Sequence, residues 1–318
     1  MSYAEKFGQM FLAIGLFVAV VALVLFVVGR VAGYRGDRVI GRTFVLPTVI
    51  MLAIGLIYPA ILTIFQSFKD ASGNSFVGFS NFTYIFTNSD ELTAVRNTAL
   101  WTLLAPVLAT FIGLVYAVLI DRARIEAFAK ALIFLPMAIS FVGASIIWKF
   151  VYDYRPPAAK QIGLLNQVLV WLGFEPQQWL LNDPWNTFFL IVVMIWIQAG
   201  FAMTLLSAAI KNIPDDIVEA ARLDGVYGIR MFRYITVPSI RPTLIVVLTT
   251  IAIASLKVFD IVRTMTGGSF KTSVLANEFY SQSFRAGNQG LGAALAVVIF
   301  VLVIPIVVYN VRQLRQSA

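Results

Sequence analysis

Long uncharged stretches dominate the hydrophobic pattern of this chain. A membrane-spanning helix needs roughly 20 apolar residues, and several stretches without Asp, Glu, Lys or Arg meet or approach that length. They cover residues 10–29, 43–68, 97–120, 131–148, 184–210 and 286–311. A weaker stretch, 243–262, contains Lys257 and Asp260. The pattern therefore predicts an all-α protein, a polytopic transmembrane helical bundle with seven spans.

A shorter apolar segment, 161–174, lies between the fourth and fifth predicted spans. Its apolar residues recur at helical spacing, but the segment is too short to cross a membrane. It is therefore predicted to form an interfacial helix on the outer face. Trp171, Trp179 and Trp185 lie in or near it, as expected for the aromatic belt at a membrane surface.

Composition supports a membrane protein and excludes several kinds of chemistry. Hydrophobic residues make up 59% of the 318 residues and charged residues 13%, whereas soluble domains carry about 25% charged residues. The chain has no cysteine and no histidine, so disulfides, zinc–thiolate sites and histidine acid–base chemistry are excluded. No metal site and no catalytic group are expected. We expect one domain over 1–318, with an extra N-terminal helix and basic loop in 1–42 and a core in 43–318.

The net charge of +8 follows largely from membrane topology. Lys and Arg concentrate in the segments after the first, third, fifth and last spans, and the positive-inside rule assigns such segments to the cytoplasm. The N-terminus is therefore expected outside and the C-terminus in the cytoplasm, and no nucleic-acid partner is expected. The basic residues on the predicted cytoplasmic side are Arg30, Arg35, Arg38, Arg42, Arg122, Arg124, Lys130, Lys211, Arg222, Arg230, Arg233, Arg241, Arg312 and Arg315.

The predicted cytoplasmic loop 211–242 has clear helix boundaries. Pro214 suits the first helical turn, the acids that follow it suit the positive end of the helix dipole, and Gly225 suits a C-terminal cap. A short helix is therefore predicted over 214–224, and a second over 228–234 that presents Phe232. Ala220 and Ala221 give the first helix a slim face for another protein, and its polar anchors are Glu219, Arg222 and Asp224.

One motif in this loop resembles a known family. Glu219-Ala220-Ala221, then Asp224-Gly225, then Pro238 resemble the EAA loop of the membrane subunits of type I ABC importers. The resemblance implies a coupling helix that docks into a cleft of an ATP-hydrolysing subunit. Glu219 would pair there with a basic residue, and Gly225 would allow a sharp turn. The alternative is an amphipathic loop lying on the membrane.

Further segments extend the resemblance over most of the chain. Residues 76–86, 97–98, 162–166, 196–225, 256–268 and 275–291 look like carbohydrate importers, in particular the maltose and α-glucoside group. The family core has six helices, so the first predicted span is an addition, and a long outer insertion of some maltose permeases is absent. The resemblance implies a bacterial inner-membrane permease subunit that imports sugars, with α-glucosides such as maltose, sucrose or trehalose as substrates.

The resemblance also implies partners. These are a second permease subunit, a dimer of ATP-binding subunits that carry ATP and Mg²⁺, an extracytoplasmic sugar-binding protein, the sugar and membrane lipid. This chain would bind no cofactor itself. Its nearest approach to a nucleotide-binding loop, residues 267–272, lacks the glycine before the lysine that such a loop requires.

The resemblance places sugar contacts on the spans before and after the coupling loop. Matched positions fall on Gln198 and Phe201 in the earlier span and on Ser255, Val258 and Asp260 in the later one. Ionisable residues inside a membrane are costly and mark functional sites. Residues three apart share a helical face, so Lys257 and Asp260 could instead form a structural ion pair.

Two other classes of function deserve comparison with the importer hypothesis. An ion-coupled secondary transporter would show internal repeats and broken helices around midplane carboxylates, and only Asp260 meets that description. A membrane-embedded enzyme would need clustered carboxylates, histidines or a nucleophile, and the chain has no histidine or cysteine. The importer hypothesis therefore fits the sequence best.

Overall fold

The computed structural model describes residues 7–8, 10–12, 15, 18–23, 26, 29, 37–121 and 124–317, without the side chains of 37–44 and 314–317. The predicted first span, 10–29, and the basic loop that follows it lie largely outside the described residues. The chain divides into two compact units, Met1–Phe65 and Gln66–Ala318.

Residues 37–65 of the first unit are helical. Helix α1 (Asp37–Leu52) continues through a π-helical segment (Ala53–Ile57) into α2 (Tyr58–Gln66). Residues Val45–Gln66 are long and apolar enough to cross a membrane, which confirms the span predicted over 43–68. Proline lies inside this span at Pro47 and Pro59, as membrane helices tolerate.

The regular structure in the described residues of the second unit is helical, apart from one isolated β-bridge between Lys69 and Phe76. Its helices are α3 (Ser80–Thr87), α4 (Ser89–Ile120), α5 (Glu126–Phe134), α6 (Phe141–Val151), α7 (Leu164–Trp171), α8 (Trp185–Lys211), α9 (Asp215–Leu223), α10 (Ile229–Met231), α11 (Val237–Leu256), α12 (Asp260–Met265), α13 (Leu275–Tyr280) and α14 (Gln289–Ser317). The all-α fold class is confirmed, and α7 confirms the short helix predicted within 161–174.

Helix α8 is the centre of the second unit. It packs against α4 and α11 and also contacts α5, α6 and α12. Small residues allow the close approach: a Cβ on Gly113 of α4 would lie 2.5 Å from Ala202 Cβ of α8. The main core gathers around fully buried side chains such as Trp101, Leu190 and Ile251. A second cluster, around Ile85, Leu275 and Leu295, joins α3, α13 and α14.

The predicted fourth span is broken in the structure. Residues Glu126–Ala138 and Phe141–Val151 are separate helical segments that meet at 103°. The first ends in a 3₁₀ turn, Leu135–Ala138, because Pro136 cannot donate a backbone hydrogen bond. Ser140 then caps α6, its hydroxyl accepting from Gly143 N at 3.1 Å. A continuous helix over 131–148 is therefore wrong.

The predicted sixth span is displaced toward the N-terminus. The helix runs over Ile229–Leu256 rather than 243–262. It therefore includes most of the predicted second loop helix, 228–234, and the prolines at 238 and 242. A π-helical segment, Phe232–Thr236, precedes Pro238 and changes the hydrogen-bond register where the prolines lack donors. The helix ends at Leu256, before Lys257.

Five helices in the described part of the chain are long and apolar enough to span a membrane, and the bent pair raises the number to six if it is one crossing. The other spanning helices are Ser89–Ile120, Trp185–Lys211 and Gln289–Gln313. Because the first predicted span lies largely outside the described residues, the predicted total of seven stays a prediction.

Candidate functional site

Helix α9 forms the predicted short helix between two spanning helices. Pro214 occupies its N-cap with φ −56° and ψ 136°, one position before the helix rather than inside its first turn. Asp215 and Asp216 follow in the first turn, where the helix dipole favours negative charge. Arg222 lies in the last turn, where the dipole favours positive charge. The charges at both ends thus favour this helix.

The C-terminus of α9 is closed by Gly225. Its φ is +77°, a left-handed conformation that L-residues other than glycine adopt at a cost. Gly225 N donates to Arg222 O at 3.0 Å, and Val226 N donates to Ala221 O at 2.9 Å. These two bonds form a Schellman motif, which turns the chain sharply toward α10. The predicted C-terminal cap at Gly225 is confirmed.

The outward surface of α9 carries apolar side chains. Leu223 is 89% exposed and Ile217 45% exposed, and Ala220 is exposed beside Glu219. Ala221, in contrast, is buried at 7% exposure and packs inward. The expectation that both alanines present one slim face is therefore wrong: Ala220 is available to a partner, and Ala221 holds the helix to its own chain. The sequence analysis did not identify Leu223. An apolar residue between Arg222 and Asp224, at the polar end of the predicted helix, could have indicated it.

A cavity of about 610 Å³ lies behind α9, between the ends of α4 and α8 and the start of the sixth span. Glu219 lines it and forms no ion pair with any described residue. Phe232 also lines it and is half-buried. Phe232 belongs to the π-helical segment at the start of the span, so its predicted presentation on a separate loop helix is wrong. Other lining residues include Asp121, Lys211, Arg222 and Tyr227.

An ionic network joins three helix ends next to this cavity. Lys130 Nζ donates to Asp121 Oδ1 at 3.0 Å and to Glu126 Oε1 at 2.7 Å. Ser207 Oγ donates to Asp121 Oδ1 at 2.8 Å, and Lys211 Nζ lies 3.5 Å from the same oxygen. The network therefore places the C-termini of α4 and α8 and the N-terminus of α5 on one face of the molecule.

The pKa of Asp121 reflects this environment. Burial of the carboxyl raises its pKa, but hydrogen bonds from Ser207 and Lys130 and the charges of Lys130 and Lys211 outweigh burial. The net result is a pKa below the usual value for aspartate, because the network favours the ionised form. Asp121 is therefore an anion that holds both lysines.

Some of the predicted sugar-contact residues are buried in the core, and others are partly exposed. Gln198 and Phe201 are half-buried in α8. Ser255 is fully buried, and its hydroxyl donates to Ile251 O at 2.8 Å and lies 3.6 Å from Met194 S. Val258 is buried at 7% exposure. In this conformation Ser255 and Val258 therefore pack in the core, while Gln198 and Phe201 keep exposed surface.

Lys257 and Asp260 do not share a helix. Lys257 is the C-cap of α11, and Asp260 begins α12 after the non-helical Phe259. The ion pairs among the described residues do not include these two side chains. The predicted structural ion pair is therefore wrong, because the helix breaks between the two residues and removes their common face. Asp260 is half-buried and Lys257 exposed.

Two helix breaks flank the middle of α8. The end of α11 reaches Met194 through Ser255. Trp148 of α6, which follows the 103° bend, packs against Trp196 with ring centroids 5.8 Å apart. Non-helical backbone at membrane depth occurs where it is buried in protein or lines a polar cavity. The breaks therefore mark the middle of α8 as the candidate path through the bundle.

Polar side chains at the opposite face fix the segment after α12. Asn97 Nδ2 donates to Lys271 O at 2.7 Å and to Ser273 O at 2.9 Å. Leu275 N donates to Thr98 Oγ1 at 2.9 Å, and Asn186 Nδ2 donates to Phe270 O at 2.8 Å. The sequence analysis noted Asn97 and Thr98 only as part of a family resemblance, because their partners lie far away along the chain.

The chain matches a protein family over two thirds of its length. The family described as "Binding-protein-dependent transport system inner membrane component" matches residues 106–315, which include α9 and both helix breaks. The chain belongs to this family. It is a multi-pass permease component of the inner membrane, and the resemblance to ABC-importer permeases is confirmed. Components of this kind transport without catalysis, and ATP hydrolysis belongs to a separate partner.

Two relatives have the same sequence identity to this permease. The osmoprotective compounds uptake permease protein GgtC of Synechocystis is 48% identical over 272 residues, which cover 86% of this chain and 98% of GgtC. The α-glucoside transport system permease protein AglF of Rhizobium meliloti is 48% identical over 276 residues, covering 86% of this chain and 82% of AglF.

A solved structure confirms the fold of this permease. A chain of a bacterial alginate ABC transporter, crystallised in complex with an alginate pentasaccharide-bound periplasmic protein, superposes with a TM-score of 0.72. The two chains are 23% identical, and the match covers 86% of this chain and 93% of the other. At this identity the likeness establishes the architecture alone.

Proposed function

We propose that this permease imports sugars, with α-glucosides such as maltose, sucrose or trehalose as the substrate class. The observation that carries the proposal is the 48% identity to AglF over 86% of this chain. GgtC is equally similar, so an osmoprotective compound with a glucosyl group is the second candidate substrate. An ion-coupled mechanism has no support among the relatives.

The proposed assembly is the one that the family resemblance implies. This permease pairs with a second permease subunit, a dimer of ATP-binding subunits acts at its cytoplasmic face, and an extracytoplasmic binding protein delivers the sugar. ATP and Mg²⁺ bind the ATP-binding subunits, and this chain binds no cofactor. Its N-terminus lies outside and its C-terminus in the cytoplasm, in keeping with the basic residues near the ends of α4, α8 and α14.

Helix α9 is proposed as the coupling helix. Its exposed Leu223 and Ile217 provide apolar surface of the kind that protein interfaces bury, and Glu219 provides a carboxylate without an ion-pair partner in the described part of the chain. Ala220 leaves room for close approach. The Schellman turn at Gly225 and the inward Ala221 fix the helix, while Asp224 and Phe232 support the return to the span.

Transport is proposed to follow alternating access around the middle of α8. Closure of the ATP-binding subunits moves α9, which contacts the π-helical start of the sixth span, and the ionic network at Asp121 keeps the ends of α4, α5 and α8 together as they move. Gln198 and Phe201, with Asp260 at the break after α11, offer an amide, an aromatic face and a carboxylate, which are groups that bind sugars. Ser255 and Val258 lie in the core beside them and would contact sugar only after the helices rearrange.

The experiment that tests the function begins with purification of the tagged chain from its native membrane in a gentle detergent. We expect a second permease and an ATP-binding subunit to copurify. ATPase activity of that complex is then measured with binding protein loaded with maltose, sucrose, trehalose or a glucosyl osmolyte. Stimulation by the first three supports the α-glucoside proposal, and stimulation by the osmolyte alone selects the second candidate. A chain that purifies alone through several detergents would contradict the importer proposal.

A further inference from the structure

A second polar cavity lies at the face opposite α9. It measures about 310 Å³ and separates the start of α4 from the segment around α13. Asp90 and Lys271 are exposed at its rim, and Glu91 is buried in its wall. Its lining is almost entirely polar: Tyr84, Asn88, Asp90, Glu91, Thr93, Gly268, Lys271, Ser273, Glu278 and Gln282. Nothing in the proposed coupling or sugar path uses these residues.

Glu91 has an unused hydrogen-bonding atom in this wall. The residue is 3% exposed. Its Oε1 accepts from Gln282 Nε2 at 3.2 Å, but its Oε2 is buried without a hydrogen-bond partner. A buried carboxylate oxygen without a partner is costly. A donor from outside the chain would remove that cost, so Glu91 indicates a missing ligand.

The charge around Glu91 is negative and unmatched. Glu278 lines the same cavity, and its Oε1 accepts a hydrogen bond from Ser273 Oγ. Neither Glu91 nor Glu278 forms an ion pair with a described residue, and the rim cation Lys271 pairs instead with Asp183, Nζ to Oδ2 3.3 Å. The missing ligand is therefore a cation.

The geometry favours an organic cation over a metal ion. Within the described residues, no group of three or more acidic, histidine or cysteine side chains is close enough to hold a metal. Guanidinium and ammonium groups, in contrast, need only two carboxylates and neighbouring amide or hydroxyl acceptors. Gln282 and Ser273 supply such neighbours.

We propose that this cavity receives a basic side chain, Arg or Lys, of the extracytoplasmic binding protein. The inference rests on the proposed function, whose orientation places this face outside. A family defined by binding-protein dependence has such a protein at this face. Glu91 and Glu278 hold the basic group, and Asp90 at the rim attracts it. The contact gives the binding protein one fixed position over the bundle.

The test measures how much binding protein is needed for half-maximal ATPase stimulation of the complete complex in lipid nanodiscs. Glu91→Gln and Glu278→Gln remove charge with little change of shape, and Asp90→Asn does so at the exposed rim. Glu175→Gln is the matched control, since Glu175 is an exposed acid in the loop after α7 and does not line this cavity. Each complex is assayed at low and high salt.

We expect Glu91→Gln and Glu278→Gln to raise the half-saturating concentration at least tenfold at low salt and to flatten its salt dependence. Asp90→Asn should raise it about threefold, through loss of long-range attraction. The maximal ATPase rate and the Glu175→Gln control should be unchanged. If Glu91→Gln does not assemble, Glu278→Gln and Asp90→Asn decide the question.

Two results would overturn the inference while leaving the proposed function intact. In the first, binding protein stimulates every variant with the wild-type half-saturating concentration and salt dependence. In the second, a Ca²⁺-selective chelator, which spares the Mg²⁺ that ATP hydrolysis needs, shifts the wild-type value but not that of Glu91→Gln, which would identify a divalent cation as the occupant. A wild-type complex that binding protein does not stimulate would contradict the proposed function, and this inference with it.

Discussion

At the scale of single residues, Gly225 links local backbone chemistry to function. Its φ of +77° closes α9, and the space where a Cβ would lie is empty, with nothing within 4 Å. Replacement by alanine would therefore cause no collision. Its only direct effect would be the strain of a left-handed backbone, about 1–2 kcal/mol.

We expect Gly225→Ala to reduce sugar-dependent transport on the order of fivefold or more, because the strain frays the end of the proposed coupling helix. The measurement is uptake in proteoliposomes together with the amount of assembled complex. Gly173→Ala is the matched control: Gly173 has φ +81° and nothing within 4 Å, but it follows α7, away from the coupling loop. Equal transport by both variants would argue against the role of Gly225.

Glu219 is the second residue whose role can be tested by one change. Loss of a charge that is paired across an interface costs about 2 kcal/mol or more, so Glu219→Gln should weaken binding of the ATP-binding subunit by on the order of thirty-fold. Retention of that subunit during purification measures the effect. Asp216→Asn, an exposed acid on the same helix, should retain it. Wild-type retention by Glu219→Gln would remove Glu219 from the interface.

At the scale of elements, contact between α4 and α8 depends on small residues. A Cβ on Gly113 would lie 2.5 Å from Ala202 Cβ, 2.7 Å from Met203 N and 2.9 Å from Ala199 O. Two of these three atoms belong to the α8 backbone, which cannot move aside like a flexible side chain. The two helices would have to separate.

Gly113→Ala should therefore destabilise the bundle by about 1–3 kcal/mol. The midpoint of thermal unfolding in detergent should fall by roughly 2–4 °C per kcal/mol. Gly55→Ala provides the control, because a Cβ on Gly55 meets nothing within 4 Å and alanine favours a helix over glycine. A Gly113→Ala midpoint at or above the wild-type midpoint would show that α4 and α8 are packed less closely than described.

The ionic network around Asp121 joins the ends of α4 and α8 to the start of α5. It predicts that the stability of the fold depends on pH. The pKa of Asp121 is lowered in the folded protein, so the carboxylate stabilises the fold above its unfolded pKa of about 3.9. That stability is lost as the pH falls through the lowered pKa.

Asp121→Asn removes this contribution. At neutral pH the variant should unfold at a lower temperature than wild type, and the difference should shrink as the pH falls below about 4. Thermal unfolding of the detergent-solubilised chain between pH 3 and pH 7 measures it. Asp224→Asn, an exposed aspartate without an ion pair among the described residues, is the control. A difference that is independent of pH would exclude a role for the Asp121 charge.

At the scale of the whole molecule, the helix ends separate into two faces. The ionic network gathers one set of ends near α9, while Asn97 and Asn186 hold the segment after α12 at the other ends of α4 and α8. The chain therefore crosses the second unit in alternating directions. With α9 in the cytoplasm, the loop after α7 must lie outside.

The absence of cysteine from the sequence makes this orientation easy to measure. A single cysteine at Glu175→Cys should react with a membrane-impermeant maleimide in intact spheroplasts. Arg124→Cys, at an exposed position between α4 and α5, should react only after the membrane is permeabilised. The reverse pattern would invert the proposed topology and place α9 outside.

The spanning helices and α9 could be predicted from residues close together in the sequence. Apolar runs identify the spans because a helix is the simplest way to satisfy backbone hydrogen bonds in lipid. Pro214, Asp215 and Gly225 identify α9 because capping and dipole effects act within one turn. The family motif lies on the same helix, so both fold class and family were predictable from neighbouring residues.

Other features depend on contacts between residues far apart along the chain. Pro136 precedes the bend near Ser140, and Lys257 and Asp260 lie at the break after Leu256, but these residues indicate neither the angle of the bend nor the residue at which each helix ends. The hydrogen-bond partners of Asn97 and Glu91 lie 174 and 191 residues away along the chain, and Asp121 accepts from Ser207, 86 residues away, as well as from the nearby Lys130. Apolar runs in the sequence determined which segments are helices, and capping residues determined where α9 lies. Only the tertiary structure decided which polar groups meet, because such contacts form between elements and leave no pattern within one.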